Sequence, residues 1–417
     1  MCIRDSQNTL VHNANGQALL TIVPNALFLD VRGFAAVQST SGGFSPTGPV
    51  TLNQANQTQT VSGSVSPYYL HTFDDHGSLR LAYTFNETLQ NGVSPFLSST
   101  PTPFAALPNM NLTSNEESGT FRTGADLGRV NDQIWVDAIQ ETGFGLVQNA
   151  HRNVLIDQPA YAIDPRLSIY GQIGYENIAY PNAVPAVRIN DAIWAVGFRL
   201  TPNPDSVIDV RYGHRDGFNS ARVDASYALT ARTKIFARYS EGLASQAEEI
   251  ASALNGSSVG AGSNSVDELT GAPVLLTNQL IGVQSNLFRV KTLSLSAVTA
   301  WARDTLSLSF LHEEDDLVAI SAGSIGFSDR GTSAGLTWEH DLSERLKGTA
   351  SLSYNIYDVS GPAPGSTHFF SLGISAAYSF TETLTGIAQY ALQSATATLP
   401  GQAFIENRVL IGLRKTF

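Results

Sequence analysis

The chain is 417 residues long, with 14% charged residues and a net charge of −12, where an ordinary soluble domain carries about 25% charged residues. The acidic balance argues against nucleic acid as a partner, and with no apolar run of about 18 residues a membrane-spanning helix is excluded. The single cysteine, Cys2, excludes an internal disulfide and any cysteine-based zinc centre.

Low charge without long apolar runs suits a transmembrane β-barrel, in which lipid-facing apolar residues alternate with small polar residues of the lumen. The start, Met1 to Ser6, has no apolar segment of a signal peptide, and nothing apolar precedes Cys2 to make it a lipidation site. Residues 1–11 read as a non-native or disordered remnant, and 12–417 as one barrel domain.

Period-2 alternation begins with a strand at about 12–23 and recurs to the end of the chain. Residues 190–202 place Trp194, Val196, Phe198 and Leu200 on one face, and Ile208, Val210 and Tyr212 follow after the turn at Pro202 to Asp205. Ala221, Val223, Ala225, Tyr227 and Leu229 lead through Ala231-Arg232 to Ile235, Ala237 and Tyr239. Later runs repeat the pattern at Leu306, Leu308 and Phe310, at Leu352, Tyr354 and Ile356, and at Phe370 to Phe380.

Short links near Pro24, Asp74, Gly128, Pro165, Pro202, Ala231, Arg303, Leu342 and Phe380 alternate with long ones near 40–56, 89–114, 144–152, 181–189, 245–285, 319–329, 359–366 and 396–405. Only the link near Gly217 is short where a long one is due. The pattern predicts an all-β, antiparallel up-and-down transmembrane barrel of about 18–20 strands, with short periplasmic turns and long outer loops. The best count, about 19, is odd, which predicts a missing N-terminal strand and an exposed edge between the first and last strands. The 245–285 loop has helix-forming residues from Ser245 to Leu254 and then a Gly/Ser-rich stretch; it reads as a flexible outer loop or a segment folded into the lumen.

The last strand puts Val409, Ile411, Leu413 and Phe417 on one face and Arg408 on the other. A C-terminal strand of this kind, closing on Phe, is read by the sorting machinery of the bacterial outer membrane. It implies that membrane as the location, with its lipid, lipopolysaccharide and barrel assembly machinery as partners.

By alternation Arg199, Asp209, Arg211, Arg215, Arg222, Asp224 and Arg238 lie opposite the apolar faces of adjacent strands and line the lumen. Such a wall selects anionic solutes, or forms a structural ladder of bridged charges, or does both. The run Glu313, Glu314, Asp315 and Asp316 is a candidate site for Ca²⁺ or Mg²⁺, yet it matches no ordered calcium loop, and a solvated loop is the simpler reading. Trp135, Trp194, Trp301, Trp338, Tyr354, Tyr378 and Tyr390 read as lipid-facing or girdle residues. Tyr170, Phe236, Tyr357 and Phe369 fall on the lumen face, where they fill space or stack on sugar rings. His214, His340 and His368 are scattered, with no nucleophile, phosphate-loop or zinc motif, so neither an enzyme nor a cofactor is expected.

Several short motifs resemble those of the uncharacterised outer-membrane β-barrel proteins associated with the exosortase/PEP-CTERM system. They are Val23 to Asp30, Ile173-Gly174-Tyr175-Glu176, Trp194 to Phe198 with Thr201-Pro202, Tyr212-Gly213-His214-Arg215, Ala237-Arg238-Tyr239-Ser240-Glu241, and Glu406 to Phe417. The resemblance implies a neighbourhood of exopolysaccharide loci and PEP-CTERM protein display, with polysaccharide export components as further partners. A passive pore or export conduit fits that setting. The alternative is a non-conducting scaffold barrel of an envelope assembly system.

Overall fold

The computed structural model describes residues 14–39, 57–90, 110–259, 265–267, 280–281, 283–362, 364–398 and 403–415. The strands are β1 (Ala14–Val23), β2 (Leu27–Ser39), β3 (Gln57–Thr72), β4 (Gly77–Gln90), β5 (Met110–Thr123), β6 (Val130–Gly143), β7 (His151–Ala162) and β8 (Leu167–Tyr180). They continue with β9 (Ala183–Val184), β10 (Val187–Leu200), β11 (Val207–Arg215), β12 (Phe218–Thr230), β13 (Thr233–Ser245), β14 (Ser257–Val259) and β15 (Ser265–Asp267). The last seven are β16 (Leu287–Ala300), β17 (Asp304–Ser321), β18 (Ser328–Asp341), β19 (Leu346–Ser360), β20 (Gly365–Ser379), β21 (Leu384–Ala397) and β22 (Phe404–Lys415). One helix, α1 (Gln246–Asn255), follows β13. No helix among the described residues is long and apolar enough to cross a membrane.

Setting aside the short β9, β14 and β15 leaves nineteen long strands, each hydrogen-bonded antiparallel to the next long strand in the chain. This is the predicted meander. An odd count makes β1 and β22 run in the same direction. Among the described residues β1 pairs only with β2 and β22 only with β21.

The side chains are arranged inside out relative to a water-soluble protein. Ile173, Val196 and Ile411 stand 65%, 63% and 82% exposed, while Gln38, Thr60 and Asn355 are fully covered. An apolar outer surface over a polar interior is stable only where lipid surrounds the sheet, and every strand there must be paired within it. The strands therefore cross a membrane. Part of the polar interior pairs within itself: Thr60 Oγ1 and Gln90 Nε2 both donate to Gln38 Oε1, each at 2.7 Å. Replacing Val196 with arginine on the lipid face is expected to cost about 2–4 kcal/mol. Denaturant titration of the refolded protein checks this, with Val196→Ser as the milder control.

The outer ends of the strands converge over the lumen. β9 pairs across the mouth with the outer end of β17, Ile320 opposite Val184. The 3-10 turn Gly145–Val147 joins it there, the Leu146 amide donating to Ser321 Oγ at 3.3 Å. Leu112, Leu146, Ile178, Tyr180, Leu243 and Leu287 form one buried apolar cluster with Ala247 and Ala251 of α1.

The short link that broke the loop pattern is the β11–β12 turn. Asp216 (φ 56°) and Gly217 (φ 78°) both adopt the left-handed conformation of a two-residue hairpin turn. Asp216 is buried in this turn and accepts from Arg152 of β7.

Candidate functional site

The site is built on α1 and the wall beside it. Ser245 ends β13 and caps the helix: its Oγ accepts from the Glu248 amide, and Glu248 Oε2 accepts from the Ser245 amide at 2.6 Å. Ala247, Ile250, Ala251 and Leu254 make a buried stripe at helical spacing. Ten residues at 1.5 Å each give a helix about 15 Å long.

That helix crosses from one wall to the other. Its start hangs from β13, while Ile250 and Leu254 pack on Phe34 of β2. β2 and β13 are ten steps apart along the sheet. At the far end Arg32 Nη1 lies 3.1, 2.5 and 2.5 Å from the carbonyl oxygens of Leu254, Asn255 and Ser257. A guanidinium there satisfies orphaned carbonyls and complements the negative end of the helix. Asp30 Oδ2 in turn accepts from Arg32 at 2.5 Å. At the near end Arg152 of β7 donates to Asp216 Oδ1 (2.5 Å) and to the Leu243 carbonyl (2.7 Å), and Tyr180 donates to Glu248 Oε1 at 2.6 Å. Burial pushes the Asp216 carboxyl up, but the guanidiniums of Arg152 and Arg215 outweigh it and hold it below the usual range.

Under α1 lies a cavity of about 280 Å³ lined by Arg211, Arg215, Arg222 and Arg238, with Glu249 and Ser252 of the helix on its rim. The predicted charge wall is thus brought together on β11, β12 and β13. Asp224 lies 2.6 Å from Arg222 Nε and 3.5 Å from Arg238 Nε, so part of the wall is a bridged ladder. Arg211 stands opposite Arg222 in register and reaches Gln172 Oε1 at 3.5 Å. Asp209 accepts the Tyr170 hydroxyl at 2.6 Å, an approach permitted because a Cβ at Gly197 would overlap the Tyr170 ring. Arg199 is exposed near the inner end of β10, and it does not line the cavity.

The acidic run divides by strand alternation. Glu313 and Asp315 turn inward and are buried. Glu314 and Asp316 turn the other way and hold Lys291 Nζ at 3.2 and 2.8 Å. Among the described residues no three His, Cys, Asp or Glu side chains are placed to hold a metal ion. The lumen aromatics do not form one track: Tyr357 donates to Asp329, Phe369 packs on Phe404, and Tyr170 lies on a distant strand. The girdle reading fits Trp338, whose Nε1 donates to Asp304 beside His340. His214 contacts Asp191 and Asn219, and His368 meets the Tyr354 hydroxyl. Of the C-terminal strand, Val409, Ile411 and Leu413 face outward and Arg408 inward; Phe417 lies outside the described residues, as do 1–13, all of 40–56, 91–109 and much of the 245–285 loop.

Arg32, Arg152, Asp216 and Glu249 are the residues that the sequence reading missed. Arg32 carries a detectable signal, a charge on the face opposite the apolar one, whereas Arg152 shares its face with the apolar Val154 and Ile156 and does not stand out. Their partners lie too far along the chain to be guessed from it.

No protein-family model matches the chain, and no curated protein does. Among solved structures the chain is similar to OccAB4 of Acinetobacter baumannii, at 10% identity and a TM-score of 0.40, over 94% of this chain and 100% of that one. It is also similar to OccAB3 of the same organism, at 9% identity and 0.38, over 94% and 98%. The siderophore receptor PirA of Pseudomonas aeruginosa aligns at 12% identity and 0.38, over 92% of this chain and 74% of that one.

Proposed function

We propose that this outer-membrane protein is a passive conduit for anionic solutes, constricted by α1, in the service of exopolysaccharide export or PEP-CTERM protein display. The observation that carries the reading is the cavity under α1, where four arginines meet and Asp224 bridges only two of them within 4 Å. A guanidinium cluster beside a narrow water-filled passage favours carboxylate- or phosphate-bearing solutes. The exopolysaccharide setting rests on the sequence resemblance, and acidic saccharides are the solutes that join the two arguments.

The second reading is a non-conducting scaffold. The apolar cluster across the mouth and the helix across the lumen favour it. Single-channel recording in planar bilayers separates the two. Anion-selective conductance that loses its preference when Arg211, Arg215 and Arg238 are all changed to Gln supports the conduit. Silence from a verified, folded protein supports the scaffold.

A further inference from the structure

The short-turn end of the lumen carries a second group of side chains, apart from the cavity under α1. Phe28 of β2, Tyr68 of β3 and Arg80 of β4 lie on the inward face. Phe28 stands in register with Tyr68, and Arg80 with Leu70, two residues on. The two rings are stacked, with centroids 5.0 Å apart and planes 16° from parallel, and the Arg80 Cζ lies 4.8 Å over the Tyr68 ring. Ring, ring and guanidinium thus make one row across three adjacent strands. Arg122 of β5 shares the face, two residues beyond Thr120, the partner of Arg80. Diagonal neighbours of this kind are about 7–8 Å apart. β2 begins at Leu27, β3 ends at Thr72, β4 begins at Gly77 and β5 ends at Thr123, so all four side chains sit at the mouth of that end.

Arg32, Arg152 and Arg222, also on the inward face, each hold a carboxylate, at 2.5, 2.5 and 2.6 Å. Arg80 differs. It is exposed, and among the described residues it has its ring contact but no hydrogen-bond acceptor and no ion pair. Arg122, also exposed, has one neutral acceptor, Gln133 Oε1 at 3.0 Å. The carboxylates nearest along the flanking strands are otherwise placed. Asp30, two residues beyond Phe28, is taken by Arg32. Glu116 lies four residues from Thr120 along β5, toward the middle of the strand. Contact with a ring face engages a guanidinium's charge and leaves its N–H donors to an incoming acceptor.

We propose that Phe28, Tyr68, Arg80 and Arg122 form an entry site for acidic saccharides at the periplasmic mouth, the side to which the short turns belong. The inference rests on the conduit reading, to which it adds the place where the solute is first held. A planar guanidinium takes a sugar carboxylate through two parallel hydrogen bonds. The second guanidinium, diagonal to the first, receives a carboxylate on the neighbouring sugar. Tyr68 is flanked from both sides, and half-buried Phe28 ends the row, its outer face meeting the C–H side of a pyranose. A bare inorganic anion needs only the arginines; rings set beside them fit an anion that is carried on a ring.

The test is calorimetric titration of the refolded protein in detergent micelles with trigalacturonate, maltotriose and inorganic phosphate. The background carries Arg211→Gln, Arg215→Gln and Arg238→Gln, which removes the contribution of the cavity under α1. Trigalacturonate is expected to bind in that background, and Arg80→Gln to weaken it about tenfold or more. Arg80→Lys is not expected to restore it, because an ammonium lacks the planar fork. Phe28→Ala is expected to weaken trigalacturonate and leave phosphate unchanged, and it provides the check if the Arg80 variants do not fold. Affinity for trigalacturonate that is indifferent to Arg80→Gln and to Phe28→Ala overturns the site. Phosphate bound as tightly as trigalacturonate overturns the saccharide assignment in favour of a simple anion site, and maltotriose bound as tightly overturns the role of the charges. A silent bilayer with binding intact rejects the conduit alone, whereas anion-selective conductance without binding rejects the entry site alone.

Discussion

Changing Arg32 to alanine is expected to free the far end of α1 at a cost of about 3–5 kcal/mol, the range for breaking a buried charge pair by removing one partner. Three carbonyl oxygens, those of Leu254, Asn255 and Ser257, each lose a donor at once, although Leu254 keeps the Ser257 hydroxyl. Asp30, 13% exposed at its side chain, is left without the guanidinium that neutralises it. The strands themselves stay paired, because no ladder bond runs through the Arg32 side chain. The result to look for is a sheet that remains protected from hydrogen exchange while 246–255 exchanges freely and becomes a protease target. Unchanged protection of α1 would falsify the claim that Arg32 holds it.

The second large effect is expected at the near end. Arg152→Met leaves Asp216 buried beside a hairpin turn with its main counter-charge gone, again a loss of about 3–5 kcal/mol for a pair only 16% and 8% exposed. Adding Asp216→Asn to Arg152→Met is expected to recover much of that loss, since the uncompensated charge disappears with it. Asp216→Asn alone has a pH signature. The folded carboxyl lies below its ordinary value, so its contribution is complete above about pH 4 and is lost as pH falls through the depressed value. Urea titrations near neutrality should therefore separate the Asn variant from the parent, and titrations in strong acid should bring the two together. Curves that stay parallel down through that acid range would refute the assignment.

The parts of the molecule legible in the sequence are those decided locally. A strand face repeats every two residues and a tight turn needs particular residues, so Val196, Ile374 and Leu413 declare their lipid side without knowledge of the fold. The arginines of β11 to β13 were legible for the same reason. What was not legible depends on distant pairs: Arg152 meets Asp216 64 residues later, and Arg32 meets Leu254 across 222. Nothing in the Ser245 to Leu254 stretch says which wall its apolar stripe will find. The acidic run is an intermediate case. Alternation alone assigns Glu313 and Asp315 to one face and Glu314 and Asp316 to the other, but not the arrival of Asp329 opposite Asp315.

The span between Arg32 and the end of α1 also bears on the order of assembly. A contact that joins residues 222 positions apart can form only after β2 and β13 have been fixed in the same curved wall, since closing so long a loop has little to repay it earlier. The helix is short and gains most of its stability from the surfaces it touches. The order of contacts therefore predicts that the sheet forms first and fits its own internal brace last, so that the lumen is less obstructed before α1 is seated than after.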